Sequence, residues 1–208
     1  MRETGNAQAK PYHHGDLSRA LVDAALRLIE REGPAALSLR AVAREAGVSP
    51  AAPYHHFADK SELLDAVAHQ GWAALNQQMQ VALAEARTPG QKRTAMGVAY
   101  VKFSREHPSL YRVMGDCSRD TKSVKMMADN DEGTGFAFVR DTIRSSAGGN
   151  ASALDIELAT IAAWCAAHGL SEIAGFRQFD RLKEELGGEE AFVRAVLEHT
   201  GMFQRTHD

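Results

Sequence analysis

Apolar side chains recur along most of this chain three and four residues apart, the interval that places them on one face of an α-helix. Leu17, Leu21, Ala24, Ala25, Leu28 and Ile29 make one such stripe, with Asp16 as its expected cap and Gly33-Pro34 as its stop. Leu39, Val42, Ala43 and Ala46 make a second, opened by Ser38 and ended by Gly47, which can take a left-handed conformation. A third, short helix is expected over 50–57, with Ser49 as cap and Pro50 at its first position, where a missing N–H costs nothing. Asp59-Lys60-Ser61-Glu62 then opens a long helix as a capping box. It runs through Leu63, Leu64, Val67, Ala68, Trp72, Leu75, Met79 and Leu83 to about Arg87. Six prolines and a composition friendly to helices, rich in Ala, Leu, Glu and Arg, favour the same reading, and the expected fold is all-α: a three-helix helix-turn-helix domain and a larger helical domain.

Residues 38–57 are two short helices joined by a turn containing Gly47, a helix-turn-helix whose second helix is the candidate reader of a DNA major groove. The expected DNA contacts are Arg40, Ser49, Pro50, Ala51, Ala52, Tyr54, His55 and Lys60. Of the base-reading positions Pro50, Ala51, Ala52 and His55, only His55 can hydrogen-bond through its side chain, so specificity leans on apolar contacts, DNA shape and His55. Pro53 forfeits a backbone bond to the Ser49 carbonyl, which favours a tight or 3₁₀ start. Lys60 falls in the first turn of the long helix, where free N–H groups and the helix dipole favour a phosphate.

Ala43-Arg-Glu-Ala-Gly-Val-Ser49, Tyr54-x-His56-Phe57 and Asp59-Lys60-x-x-Leu63-Leu64 together resemble the DNA-binding domain of TetR/AcrR-type transcriptional regulators. That resemblance implies a phosphate contact for Tyr54 and a backbone clamp at Lys60. Further on, Trp164-x-x-x-His168-Gly169 with His107-Pro-x-x-Tyr111 resembles the effector domain named for its Trp-His-Gly motif. Three divisions are expected: a flexible arm over 1–15, a DNA-binding domain over 16–75 and an effector and dimerisation domain over 76–208.

Charge changes the picture in one respect. The net charge is −3, and residues 1–70 hold eight Lys/Arg against nine Asp/Glu. No general basic field draws DNA in, so binding must rest on local placement of Arg40, Arg44, His55, His56 and Lys60. No run of about 18 apolar residues suits a membrane span. The polar first sixteen residues lack the apolar core of a secretion signal, and a cytoplasmic protein is expected. Cys117 and Cys165 lack metal-ligand spacing and read as free thiols, Cys165 filling space in an apolar run. Cofactors and metals are not expected.

The remainder predicts helices over 89–106, 109–115, from about 124 with a break near 130–135, 151–177 and 189–204. Met96, Met114, Met126 and Met127 with Tyr100, Phe103, Phe136 and Phe138 are either ordinary core or the wall of a pocket for an apolar small molecule. The family resemblance implies some pocket, and its candidate residues are Tyr100, Phe103, Met114, Phe136, Trp164 and His168. His168 itself reads as a buried, hydrogen-bonded side chain or as an effector contact. Helix 151–177 is apolar nearly all round, and 189–204 carries Phe192, Val196, His199 and Phe203 on one stripe; two copies of each would close a four-helix bundle and make a homodimer. Gly169 in a helix interior implies a close approach.

The resulting expectation is a homodimeric repressor that binds a double-stranded operator and leaves it when a small apolar effector enters under the helix of residues 59–87. Two rivals stand beside it. One is a redox-responsive regulator using an exposed Cys117 near Arg119; the other is an all-α enzyme using His168, His107 or Cys165, which no catalytic motif supports.

Overall fold

The computed structural model describes residues 14–117, 135–147 and 151–200, with the backbone alone for 14–16. Among these residues the chain is helical, without strands. It divides into two compact units, one ending at Val67 and the other starting at Ala68, with the division inside one helix.

In the first unit α1 (His14–Glu32) buries Leu21, Ala24, Ala25, Leu28 and Ile29, the stripe the spacing predicts. It starts two residues earlier than expected, so Asp16 lies in the first turn instead of capping it, and residues 14 and 15 belong to the helix and not to an arm. The rest of that expected arm lies outside the described residues. Gly33 closes α1 at φ 82°, its N–H 2.8 Å from the Ile29 carbonyl, and Pro34–Ala36 forms a 3₁₀ turn. Helix α2 (Leu39–Glu45) is capped by the Ser38 hydroxyl, which accepts from the Ala41 N–H at 3.1 Å. Arg31 and Arg27 of α1 both reach the Glu45 carboxylate, at 2.8 and 3.4 Å, and tie α1 to α2.

Helix α3 (Lys60–Leu83) buries Leu63 and Val67 in the first unit and Trp72, Leu75 and Met79 in the second. It stops short of Arg87. The Gln91 side-chain oxygen accepts from the Arg87 and Thr88 N–H groups at 2.9 and 3.1 Å, so these donors serve the start of the next helix. That helix, α4 (Pro89–Glu106), opens with a complete Thr88/Gln91 capping box.

Helix α4 is the axis of the second unit. Met96 to Val101 are all buried, and α4 packs against α5 (Pro108–Cys117), α6 (Gly135–Ser146), α7 (Ala153–Ile173) and α9 (Glu189–His199). Val98 and Val101 meet Leu170, Ala174, Phe192, Val193 and Leu197 in one cluster. The buried hydroxyls of Ser104, Thr160 and Ser171 bond back to carbonyls three or four residues earlier, so burying them leaves no unmet hydrogen bond. A short helix that periodicity had not marked, α8 (Asp180–Leu186), stands between the left-handed Gly187 and a 3₁₀ turn at Arg177–Phe179. Its seven residues are too few to display a stripe. Among the described residues no helix is long and apolar enough to cross a membrane.

Three expectations are corrected. Cys117 is buried at 8% exposure, which removes the accessible thiol that a redox trigger at this position needs. Cys165, expected as filler, is exposed, because it stands on the outer face of α7. A Cβ at Gly169 would meet nothing within 4 Å among the described residues, so no close approach by them explains that glycine. The stripe expected on 189–204 is also differently used. Phe192 is buried within the chain and Val196 packs on the same core, while Glu190, Arg194 and Glu198 face outward. Phe203, Met126 and Met127 lie outside the described residues.

Candidate nucleic-acid interface and aromatic core

The turn after α2 follows from Gly47. At φ 70° it turns the chain so that its own N–H reaches the Arg44 carbonyl at 3.2 Å and the Val48 N–H reaches the Ala43 carbonyl at 2.9 Å. This Schellman pairing consumes carbonyls that a helix end otherwise leaves open. The next element is not the α-helix expected over 50–57. It is a 3₁₀ helix, Ala52–His55, built on bonds such as Ala52 N–H to the Ser49 carbonyl at 3.0 Å and Tyr54 N–H to the Ala51 carbonyl at 3.2 Å. Pro53 supplies the reason: it has no N–H for an α-helical bond, and it is buried, so the ring cannot swing out of the way. Ser49 contributes its carbonyl to this turn, and no side-chain cap bond opens the helix.

The turn leaves a clear division of faces. Pro53 and Phe57 are buried, His56 is half-buried, and Ser49, Pro50, Ala51, Tyr54 and His55 are exposed, with Ala52 intermediate. Tyr54 stands 54% exposed, unusual for so large a ring. Arg40 on α2 is exposed. Lys60 is exposed as well, and its ammonium donates to the Pro34 carbonyl at 3.3 Å, which brings it over from α3 towards the turn after α1. The N-terminus of α3 is capped twice: Asp59 accepts from the Glu62 N–H at 3.0 Å, and Glu62 reaches back to the Ala58 N–H at 2.6 Å.

The second unit brings most of the other candidate residues together. The Trp164 ring lies 5.3 Å from Tyr100, 5.9 Å from Phe136 and 5.7 Å from Trp72, centroid to centroid. Two tyrosine hydroxyls converge on His168 Nδ1, Tyr111 at 2.7 Å and Tyr100 at 3.2 Å. Nδ1 has one in-plane bonding position, so the shorter contact holds it, and Tyr100 donates to the Tyr111 oxygen at 3.5 Å. Burial, and then the neighbouring Tyr111 hydroxyl, raise the Tyr100 pKa, so this phenol stays protonated and neutral. His168 is thus a hydrogen-bonded side chain at the edge of an aromatic cluster. Phe103 and Met114 are fully buried away from it: Phe103 packs on the His107 ring at 4.9 Å, and Met114 lies against Gly71.

A cavity of about 20 Å³ opens beside this cluster, room for about one water. Tyr100 and Trp164 line it, as expected of the pocket candidates. Met79, Arg93 and Leu197 also line it, and periodicity alone could not nominate them because each comes from a different helix.

Comparison with known proteins agrees with this geometry. Residues 21–67 match the family described as bacterial regulatory proteins, tetR family, and residues 94–200 match the tetracyclin repressor-like C-terminal domain. The chain is 40% identical over 78 residues to the HTH-type transcriptional regulator BetI of Rhizobium meliloti (strain 1021), a match covering 38% of this chain and 38% of that protein. Among solved structures, a protein of unknown function from Rhodococcus sp. RHA1 is 29% identical with a TM-score of 0.74, covering 93% of this chain and 97% of that one. The TetR family transcriptional regulator PfmR of Thermus thermophilus shares the fold at 23% identity and a TM-score of 0.56, over 89% and 94% of the two chains.

Proposed function

The chain belongs to the tetR family of bacterial regulatory proteins, DNA-binding transcriptional regulators and not enzymes, and from that premise we propose that it is a homodimeric repressor released from its operator by a small molecule. The observation that carries the reading is the exposed face of the helix-turn-helix, where Ala51, Tyr54 and His55 project from a turn whose other side is buried through Pro53 and Phe57. Tyr54 and Lys60 contact phosphates, Ala51 and Ala52 make apolar contacts, and His55 supplies the polar base contact. Arg40, Ser49 and Pro50 border the same surface.

Dimerisation is proposed through α7. Leu154, Leu158 and Ile161 are 67, 56 and 48% exposed, and with Cys165 and Gly169 they fall on one helical face. A second copy of that face would cover them, in a two-fold arrangement that pairs two DNA-binding units with two half-sites. The outward charges of α9, Glu190, Arg194 and Glu198, would then form the polar border of the interface.

The aromatic cluster of Trp72, Tyr100, Trp164 and His168, with its motif Trp164-x-x-x-His168-Gly169, is proposed as the effector site of a Trp-His-Gly-type domain. Effector binding shifts operator affinity by no more than its differential affinity for the free and DNA-bound states.

The test is DNA binding by the purified full chain to its own upstream intergenic region at two salt concentrations, beside a Tyr54→Ala/Lys60→Ala variant. Tight binding that falls steeply with salt in the wild type and is lost in the variant supports the reading. The single Lys60→Ala variant should lower the salt slope by about 1 for each copy of Lys60 on the DNA. Equal affinity for random DNA and for every fragment of a genome-wide selection would overturn it.

A further inference from the structure

The exposed side of the turn after Gly47 is poor in groups that form hydrogen bonds. Pro50 and Ala51 are exposed and Ala52 is intermediate, three small apolar side chains in a row where a reading element meets the groove. Two carbonyls beside them are already taken: that of Ser49 accepts from the Ala52 N–H at 3.0 Å, and that of Ala51 from the Tyr54 N–H at 3.2 Å. Pro50 and Pro53 have no N–H to offer. Residues three apart eclipse in a 3₁₀ helix, so Ala52 stands in line with His55, and Ala51, just before the helix, in line with Tyr54. The buried Pro53 anchors the turn from its other side. Proline and alanine have no rotamers to lose, so contacts made by this surface carry no side-chain ordering cost.

In the major groove the base pairs differ by their donors, their acceptors and one apolar feature, the C5-methyl group of thymine. The side chains of Pro50, Ala51 and Ala52 offer nothing to a donor or an acceptor and complement only the methyl. We infer that the operator is read chiefly through pyrimidine C5-methyl groups, the Pro50 ring and the Ala51 and Ala52 methyls packing on thymine methyls in each half-site while His55 makes the hydrogen-bonded base contact. This rests on the reading of the chain as an operator-binding regulator. Recognition then follows the methyl and not the base pair. A cytosine methylated at C5 presents its methyl at the same edge of the groove, so it gains the contact that an unmethylated cytosine lacks. Readout of DNA shape needs no such contact and depends on groove width and stiffness instead.

The operator for the test is the fragment that the full-length protein binds most tightly in a genome-wide selection, and its affinity is measured at one salt concentration after substitution of its bases. Replacing every thymine by uracil removes the methyls and keeps all base-pair hydrogen bonds. Burial of one methyl changes affinity about four-fold, so one contact in each half-site predicts a loss of about ten-fold or more, while affinity for random DNA is unchanged by the same replacement. Single uracils then locate the contacted thymines. At those positions a 5-methylcytosine–guanine pair should bind about four-fold tighter than a cytosine–guanine pair, the factor that separates thymine from uracil. Ala51→Gly and Ala52→Gly each remove one protein methyl and should bring the thymine-to-uracil ratio at the contacted position to about one, with circular dichroism reporting the fold. The DNA substitutions leave the protein unaltered, so they decide the matter even if a glycine variant unfolds. Equal binding of the thymine and uracil operators overturns methyl readout and leaves the regulator standing. So does an affinity that changes only when inosine replaces guanine, which alters the minor groove and keeps every major-groove group in place. A protein that binds no fragment better than random DNA overturns both.

Discussion

A methyl group added at Gly97 would lie 2.7 Å from Leu197 Cδ1, at the crossing of α4 and α9. Leu197 is 2% exposed and cannot swing into solvent to make room. Gly97→Ala gains about 1 kcal/mol of helix propensity and loses about 1–3 kcal/mol to overpacking, so a net destabilisation of up to about 2 kcal/mol is expected in denaturant unfolding. In a Leu197→Ala background the clash is gone, and the same substitution should stabilise; a double-mutant cycle reads this change of sign. The contrast with Gly169 is instructive. Both are helical glycines, yet Gly97 is required by a leucine of the same chain, and Gly169 has nothing within 4 Å among the described residues. The sequence marks both positions as costly and is silent on which one is crowded.

Between elements, the tie of Arg31 and Arg27 on α1 to Glu45 on α2 lies beside the Schellman turn and holds α2 against α1. The Arg31 hydrogen bond, and then its charge, outweigh desolvation and hold the Glu45 carboxylate below its ordinary value of 4.5. A depressed folded-state pKa means that the unfolded chain takes up the proton first. The tie's stabilising contribution is therefore fully present above about pH 4.5 and disappears as pH falls through the folded value. Glu45→Gln should remove this acid-side dependence of the first unit's stability and leave the dependence elsewhere unchanged, as followed by thermal unfolding between about pH 3 and 7 at fixed salt. A side-chain NMR titration in which Glu45 titrates at or above its ordinary value would contradict it. Capping was readable in part at this scale: Ser38 bonds as the expected cap, whereas Asp16 lies inside the first turn of α1 and Ser49 makes no side-chain cap bond. The 3₁₀ geometry of 52–55 was half readable, since Pro53 announces a lost bond while burial of its ring depends on the rest of the unit.

For the whole molecule, the exposed stripe of Leu154, Leu158 and Ile161 departs from an ordinary solvated surface. If a second copy covers it, Leu158→Glu should turn the dimer into a monomer in sedimentation or light scattering without altering helix content. Operator affinity should fall by a factor of about 10² or more as the two half-sites cease to be bound together. A variant that stays dimeric would place the interface elsewhere. Within the chain, α9 spends Phe192, Val193 and Leu197 on the interior, so any share it takes in a bundle of two helices per subunit must come from its other face.

The local sequence determined where most helices begin and end, the Gly47 turn, the exposed positions that follow it and the family to which they belong. These depend on hydrogen bonds and steric limits spanning a few residues. Tertiary structure decided which thiol is buried, which aromatic residues meet at Trp164, that His168 is held by Tyr111 with Tyr100 behind it, and that Arg93 stands on an apolar wall. Each of those outcomes joins residues from different helices. Periodicity reports which face of a helix avoids water and carries no information about the partner that covers it.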